Sequence, residues 1–384
     1  MKVALVGPYP EPGQPITGGV ERVIDTLLPE LRKHVELTLI VPGAARDMEG
    51  LSQGCRTLYL RRGPGPGVLR YWNVEAERLR RVVADLQPDV VHLHGLAGLG
   101  RRIGKPQILT VHGIAERDLL AAGHSKPWSA IARHGLAALM RQVEVSSRRH
   151  IGNVIVISPY VTEVLPDVEL LNRFPIPNAI DPAFGKSSAD PTPARLRRIV
   201  SVGRINRRKN TLGVLELMAR VMADDPSVTL SMCGEPTEDD YFEACRAFVA
   251  TKGLNDRVRF PGTLTTPELI SLLDASALLV QQSLQETAPV AVAEAQARGL
   301  PVLAPEAFGL RYMIEPGLNG FFLPGGTDAN ARVVHTALAH AWDRARMAQD
   351  ARHRYGVDRV VRQTVAAYRA VVGMQASSPV TTAP

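Results

Sequence analysis

The chain has 384 residues, 45% hydrophobic and 22% charged, which excludes wholesale disorder and suits two or three domains of about 150 residues. No apolar run reaches the roughly 18 residues of a membrane span, and the apolar start within Met1–Pro10 is too brief for a signal-peptide core, so the expected location is cytoplasmic. The formal charge of +7 is spread over both halves in short clusters such as Arg61-Arg62 and Arg101-Arg102, which argues against nucleic acid and fits a phosphate-bearing small ligand or an anionic membrane surface. Cys55, Cys233 and Cys245 form no CxxC pair, pointing to a reducing compartment and away from a disulfide framework or a structural zinc site.

Apolar runs alternate with segments of helical period from end to end. In chain order, Val3–Val6, Leu37–Val41, Val90–His94, Ile108–Val111 and Val154–Ile157 read as strands, with helices over Gly19–Lys33 and Glu75–Asp85. Ile199–Val202, Thr229–Met232, Val258–Phe260, Ala277–Val280 and Pro301–Ala304 repeat the pattern. Continuous apolar runs are expected of parallel strands covered on both faces, and the alternation defines an α/β fold class. Between the halves, Lys186–Pro193 has no apolar periodicity and two prolines, the mark of a linker. The expected domains are therefore 1–185 and 197–356, joined by 186–196. The last helical segment, Val357–Val372, offers Val360, Val361, Val365, Ala366, Tyr368 and Val371 as a face to bury, and 374–384 reads as a flexible tail.

The densest constellation runs from Ser283 to Val302. Glu286 follows an apolar strand, Pro289 stands where an early helix position accepts proline, and Gly299 stops the helix. Glu294 lies eight positions beyond Glu286, a separation of up to about 12 Å along a helix. That spacing approximates the reach from sugar to ribose in a nucleotide-sugar, and equally describes a first-turn acid followed by a solvated helix glutamate. Arg204 and Lys209 lie just beyond the strand Ile199–Val202, a guanidinium and an ammonium that suit either a diphosphate or a solvated basic loop. Near the start, Gly18 and Gly19 join a long loop to a helix, allowing close approach of backbone to an anion, or simply a tight turn.

Taken in order, these segments and four others resemble a retaining glycosyltransferase of family 4, group 1 type, over nearly the whole chain. The additional segments are Asp89–His94, Thr110–Gly113, Ile157-Ser158 and Ile176–Asp181. The resemblance implies the GT-B architecture, two Rossmann-like α/β domains with parallel sheets facing a central cleft, the first completed by the helix 357–373. It implies that Arg204 and Lys209 bind the donor diphosphate, that Glu286 binds sugar hydroxyls and that Glu294 binds the ribose. Gly18, Gly19, Thr287, Ala288, Pro289 and Val290 then lie against phosphates and sugar, and His112 contacts the sugar near the reacting carbon. Asn178 fixes the loop entering the interdomain connection. His92 and His94 either line the cleft or pack. Glu286, Arg204, Lys209 and His112 form the implied catalytic set, with no metal and no cofactor. The implied partners are a nucleotide-sugar donor, UDP-sugar favoured, and a sugar, lipid-linked or small-molecule acceptor.

The chain departs from the family pattern at Thr287-Ala288-Pro289, where a glycine-rich turn is usual, at Phe308-Gly309, at Tyr312 and at Gly234-Glu235-Pro236. A nicotinamide-dependent oxidoreductase is disfavoured because Gly7–Gly13 cannot form the tight GxGxxG turn. A nucleotide-sugar epimerase differs in needing no acceptor, and a sugar-nucleotide sensor in performing no turnover. Ser125–His150 combines Trp128, Ile131, Leu136, Leu139 and Met140 with Lys126, Arg133, Arg141, Arg148 and Arg149. That is either a basic amphipathic helix for a peripheral membrane contact or a helix with its apolar stripe on the core.

Overall fold

The computed structural model describes residues 1–65, 71–121, 130–185 and 197–377, and among these described residues are fourteen strands and twelve α-helices. In chain order they begin β1 (Lys2–Val6), α1 (Gly19–Leu31), β2 (Glu36–Ala44), β3 (Met48–Ser52), β4 (Cys55–Arg61), α2 (Ala76–Leu86), β5 (Val90–His94) and β6 (Gln107–Val111). There follow α3 (Ala115–Ala121), α4 (Ala130–Ile151), β7 (Asn153–Val156), α5 (Pro159–Val164), β8 (Asn172–Pro175), β9 (Arg198–Val202), α6 (Thr211–Asp224), β10 (Thr229–Cys233) and α7 (Asp239–Thr251). The remainder are β11 (Val258–Gly262), α8 (Thr266–Asp274), β12 (Leu278–Val280), α9 (Val290–Ala297), β13 (Val302–Pro305), β14 (Gly320–Leu323), α10 (Thr327–Ala339), α11 (Arg344–Tyr355) and α12 (Val357–Ser377). Among the described residues no helix is long and apolar enough to cross a membrane.

The chain divides into two units, the first made of Met1–Glu116, Gly135–Ala179 and Val357–Pro384, the second of Arg117–His134 and Ile180–Gly356. In the first, an eight-stranded sheet has the order β3-β4-β2-β1-β5-β6-β7-β8. Its pairings are parallel apart from the antiparallel hairpin β3–β4 at one edge. Leu5, Leu39, Val91 and Leu93 are fully buried, as parallel strands covered on both faces require. α1 buries Val23, Ile24, Leu27, Leu28 and Leu31, a stripe at helical spacing. α12 belongs to this unit and packs on α1, β5 and β6. It buries Val360, Val361, Val365, Tyr368 and Val371; Ala366, expected on that face, is exposed, and Ala367 is buried instead.

The second unit holds a six-stranded parallel sheet, β11-β10-β9-β12-β13-β14. Alternate residues of one strand feed two cores. Ile199, Leu278 and Val280 join the apolar cluster of α6, α7 and α10, while Val200 and Leu279 join that of α8, α9 and α11.

The expected linker 186–196 lies outside the described residues. The first unit gives way to the second at Ile180 rather than after residue 185. Ile180 donates its N–H to Tyr355 O at 3.0 Å, and Phe184 is fully buried in the second unit's core. Arg117–Ala121 and Ala130–His134 also group with the second unit, which sequence patterning did not suggest. α12 continues through Ser377 rather than fraying at residue 374; Met374, Gln375 and Ala376 are good helix formers, and the first proline comes only at Pro379.

On α4, Ala137 and Val143 are buried, Leu136 and Met140 half-buried, and Ile131, Leu139 and Arg141 exposed. Arg148, expected as a solvated or lipid-facing cation, is buried in a two-pronged pair with Asp167 at 2.8 and 3.0 Å. Lys126 and Trp128 lie outside the described residues.

Candidate active site

β9 lies between β10 and β12 in the second sheet, so the strand order reverses at the β9–β12 pair. Open α/β sheets take ligands outside the carboxyl ends of strands at such a switch point. The loop leaving β9 carries Gly203–Asn210, and the loop leaving β12 carries Gln281–Pro289. Leu284 N donates to Arg208 O at 2.8 Å and ties the two loops together.

At their meeting point Glu286 is buried, 7% exposed, and ion-paired with Lys209, which donates from Nζ to Oε1. Gln281 Nε2 donates to the same oxygen at 3.1 Å and also to Ser283 Oγ at 3.1 Å. Arg208 sets Nη1 3.8 Å from Glu286 Oε2 and donates to Gln285 O at 2.8 Å. Burial alone raises the carboxyl pKa; the charges of Lys209 and Arg208, with hydrogen bonds from Lys209 and Ser283, outweigh it and hold Glu286 below the usual range. The site thus contains a desolvated carboxylate that stays ionised beside two cations.

The loop is clamped from behind. Gly309 N donates to Glu286 O at 2.9 Å, and a Cβ on Gly309 would stand 1.6 Å from Thr287 O, so only glycine fits. Its neighbour Phe308 has φ +55°, the left-handed conformation that the glycine usual at this position in the resembled family adopts freely. A second close approach secures the β9 side: at Gly234, φ +144°, a Cβ would stand 2.0 Å from Gly203 O.

Sequence reasoning placed Glu286 and Lys209 together, and the structure joins them across 77 positions. Arg204 is exposed on the β9 loop. Thr287 and Pro289 are buried, while Ala288 and Val290 are half-buried. α9 starts at Val290 with Pro289 as its cap and buries every residue from Val292 to Ala297. Glu294 is consequently 2% exposed, which overturns the solvated-helix alternative for that residue. Arg208, Gln281 and Ser283 went unassigned. Arg208 had only its place in the run Arg207-Arg208-Lys209 as a signal, and Arg207 in that run turns away to Glu238 and Asp240.

In the first unit the switch lies between β1 and β5. Gly18 and Gly19 begin α1; Glu21 Oε2 accepts from Thr17 N at 3.0 Å and Gly18 N at 2.9 Å, and Gly19 is exposed. His92, on β5, is a packing residue: its Nδ1 lies 2.7 Å from Tyr368 Oη on α12 and its Nε2 lies 2.7 Å from Thr110 Oγ1. His94 closes β5, and its Nδ1 lies 2.8 Å from Nε2 of His112, which is half-buried just beyond β6. Burial, with the His112 charge, pushes His92 down to about 3; burial pushes His112 down to about 4. Asn178 is buried. Among the described residues no group of three or more His, Cys, Asp or Glu is arranged to hold a metal ion.

Residues 17–184 match the family described as Glycosyltransferase Family 4, and residues 187–354 match Glycosyl transferases group 1. A D-inositol 3-phosphate glycosyltransferase of Streptomyces bingchenggensis is 30% identical over 176 residues, 43% of this chain and 39% of the relative. Among solved structures, sucrose-phosphate synthase from Thermosynechococcus elongatus superposes with a TM-score of 0.77 at 20% identity, covering 98% of this chain and 99% of the other. HepE of Anabaena, solved in complex with UDP and glucose, gives 0.71 at 18% identity over 98% and 100%. These structural likenesses establish the GT-B fold.

Proposed function

Because the chain belongs to the family 4, group 1 glycosyltransferases, we propose that it moves a hexose-type sugar from a nucleoside-diphosphate sugar to a hydroxyl acceptor with retention of anomeric configuration. The observation that carries this reading is the buried, ionised Glu286 beside Lys209 and Arg208 at the carboxyl ends of β9 and β12. A sugar carbon leaving a diphosphate gains cationic character while negative charge grows on phosphate. Lys209 and Arg204 neutralise that charge where it develops, usually the largest single catalytic contribution. Glu286 holds hydroxyls of the flattening ring, Glu294 the ribose, and His112 the sugar near the reacting carbon. The acceptor attacks from the face the diphosphate leaves, and a phosphate oxygen takes its proton, so retention needs no side-chain base. Two cationic side chains fill the charge-neutralising role a metal ion has elsewhere, and the reaction runs without metal or resident cofactor.

UDP-sugars are the favoured donors, supported by the UDP and glucose bound in HepE. The acceptor is a sugar, a lipid-linked sugar or a small glycoside. A lipid-linked acceptor is supported by the exposed Ile131, Leu139 and Arg141 of α4; co-sedimentation with anionic but not zwitterionic vesicles tests that peripheral contact. For the donor, a thermal-shift panel of UDP-, ADP- and GDP-sugars is decisive. Ligand at a hundred times its Kd stabilises by about 2.7 kcal/mol. The best binder then goes into a product search, with the anomeric configuration read by NMR. No shift with any nucleotide-sugar, or an inverted product, refutes the reading. Turnover without an acceptor indicates an epimerase.

A further inference from the structure

His94 ends β5 and His112 directly follows the neighbouring β6, and the two meet because the β5–β6 register pairs His94 with Thr110, two residues before His112. Their rings stack with centroids 5.1 Å apart and planes 22° from parallel. His94 is 1% exposed. Burial, with the charges of His92 and His112, drives its pKa well below the ordinary value, and burial lowers that of His112, so both rings are neutral near pH 7.

A neutral pair shares one proton between His94 Nδ1 and His112 Nε2, and its location determines the state of the other two ring nitrogens. With the proton on His112 Nε2, His94 carries its own on Nε2, a buried nitrogen with no hydrogen-bond partner among the described residues. With the proton on His94 Nδ1, that buried Nε2 is a bare lone pair. An orphaned buried N–H is the rarer and costlier of the two.

We infer that His94 is a positioning residue: its Nδ1–H donates to His112 Nε2 and fixes His112 as the Nδ1–H tautomer, which meets its ligand as a hydrogen-bond donor. Resting on the proposed contact between His112 and the donor sugar, this deepens that contact. His112 offers an N–H to a sugar oxygen, and its Nε2 is closed to proton transfer. That leaves proton removal from the acceptor to the departing phosphate.

Nitrogen-15 NMR of histidine-labelled protein tests the tautomer without reference to turnover. The chain has 10 histidines, and loss of one ring pattern in His112→Asn assigns the signal. The expected pattern is a protonated Nδ1 and an unprotonated Nε2; the reverse, or an equal mixture, overturns the inference. Kinetics with the identified donor supply a second test. Asparagine can place an N–H near the Nδ1 position and has nothing at Nε2, whereas leucine keeps bulk without a donor. His94→Leu is expected to lower kcat/KM about tenfold, roughly the worth of one hydrogen bond, and His94→Asn to recover most of that loss. Equal losses in both folded variants overturn the positioning role. Wild-type kinetics in His112→Ala instead refute the sugar contact, while the wild-type spectrum still decides the tautomer.

Discussion

Lowering the pH from about 6 to about 5 is expected to destabilise the first unit steeply. His92 is pushed down to about 3 and His112 to about 4, and His94 lies well below its ordinary range. Once unfolded, each ring takes a proton near its ordinary value of about 6.5. In that window the unfolded chain therefore binds about three protons that the folded rings refuse. Glu144 works in the opposite direction, since burial first, and then Glu116 and Asp167 against the opposing Arg148, raise it to about 7. It holds a proton when folded and releases one on unfolding. The net uptake is about two protons, and at about 1.4 kcal/mol per proton per pH unit the unit loses about 2.7 kcal/mol. That is a large share of a domain stability of about 5–15 kcal/mol. Urea unfolding followed by far-UV circular dichroism at three pH values across the window measures it. His94→Asn should reduce the slope by about one proton. Stability that is flat or rises as the pH falls from 6 to 5 refutes the buried neutral cluster.

Lys209→Ala and Arg204→Ala are each expected to lower turnover about a hundredfold through lost charge stabilisation, with thermal melts showing a folded protein; wild-type rates in the double variant refute the leaving-group assignment. Activity should survive a chelator, and complete loss restored by magnesium or manganese contradicts the role given to the two cations. Gly309→Ala forces the Thr287 carbonyl aside, so stability should drop by about 1–3 kcal/mol and turnover should fall with it; an unaltered Tm and rate would show the clamp on Glu286 to be idle.

Strands with both faces covered were legible because their code is local. β1 and β12 are continuous apolar runs, β5 and β9 are apolar but for His92, His94 and Ser201 within their expected bounds, and each lies within about one residue of those bounds at either end. The strands missed are at or near sheet edges. β3 reads Met-Glu-Gly-Leu-Ser, β4 alternates exposed with buried residues, and β8 buries none of its four residues. Such segments gain their strand character from a neighbour rather than from an apolar run of their own. The site divides along the same line. Lys209 and Glu286 sit in motifs that the order and spacing of segments along the chain single out, whereas Arg208 and Gln281 acquire meaning only where the loops after β9 and β12 converge. His92 likewise became a packing residue only once α12 brought Tyr368 to it from 276 positions away.

In the proposed donor site Glu286 acts on the reacting sugar while Glu294 holds the unchanging nucleoside. Steady-state kinetics of Glu286→Ala and Glu294→Ala at saturating acceptor, with binding of the sugarless nucleoside diphosphate, separate the two roles. A contact that strengthens only in the transition state appears in kcat, and one equal in ground and transition states appears in KM. Glu286→Ala is therefore expected to lose mainly kcat while binding the nucleoside diphosphate nearly normally. Glu294→Ala is expected to raise mainly the donor KM and to bind that ligand more weakly. The reversed pattern would mean the donor lies the other way along α9, and unchanged kinetics in both variants would contradict the assignment of this cluster as the donor site.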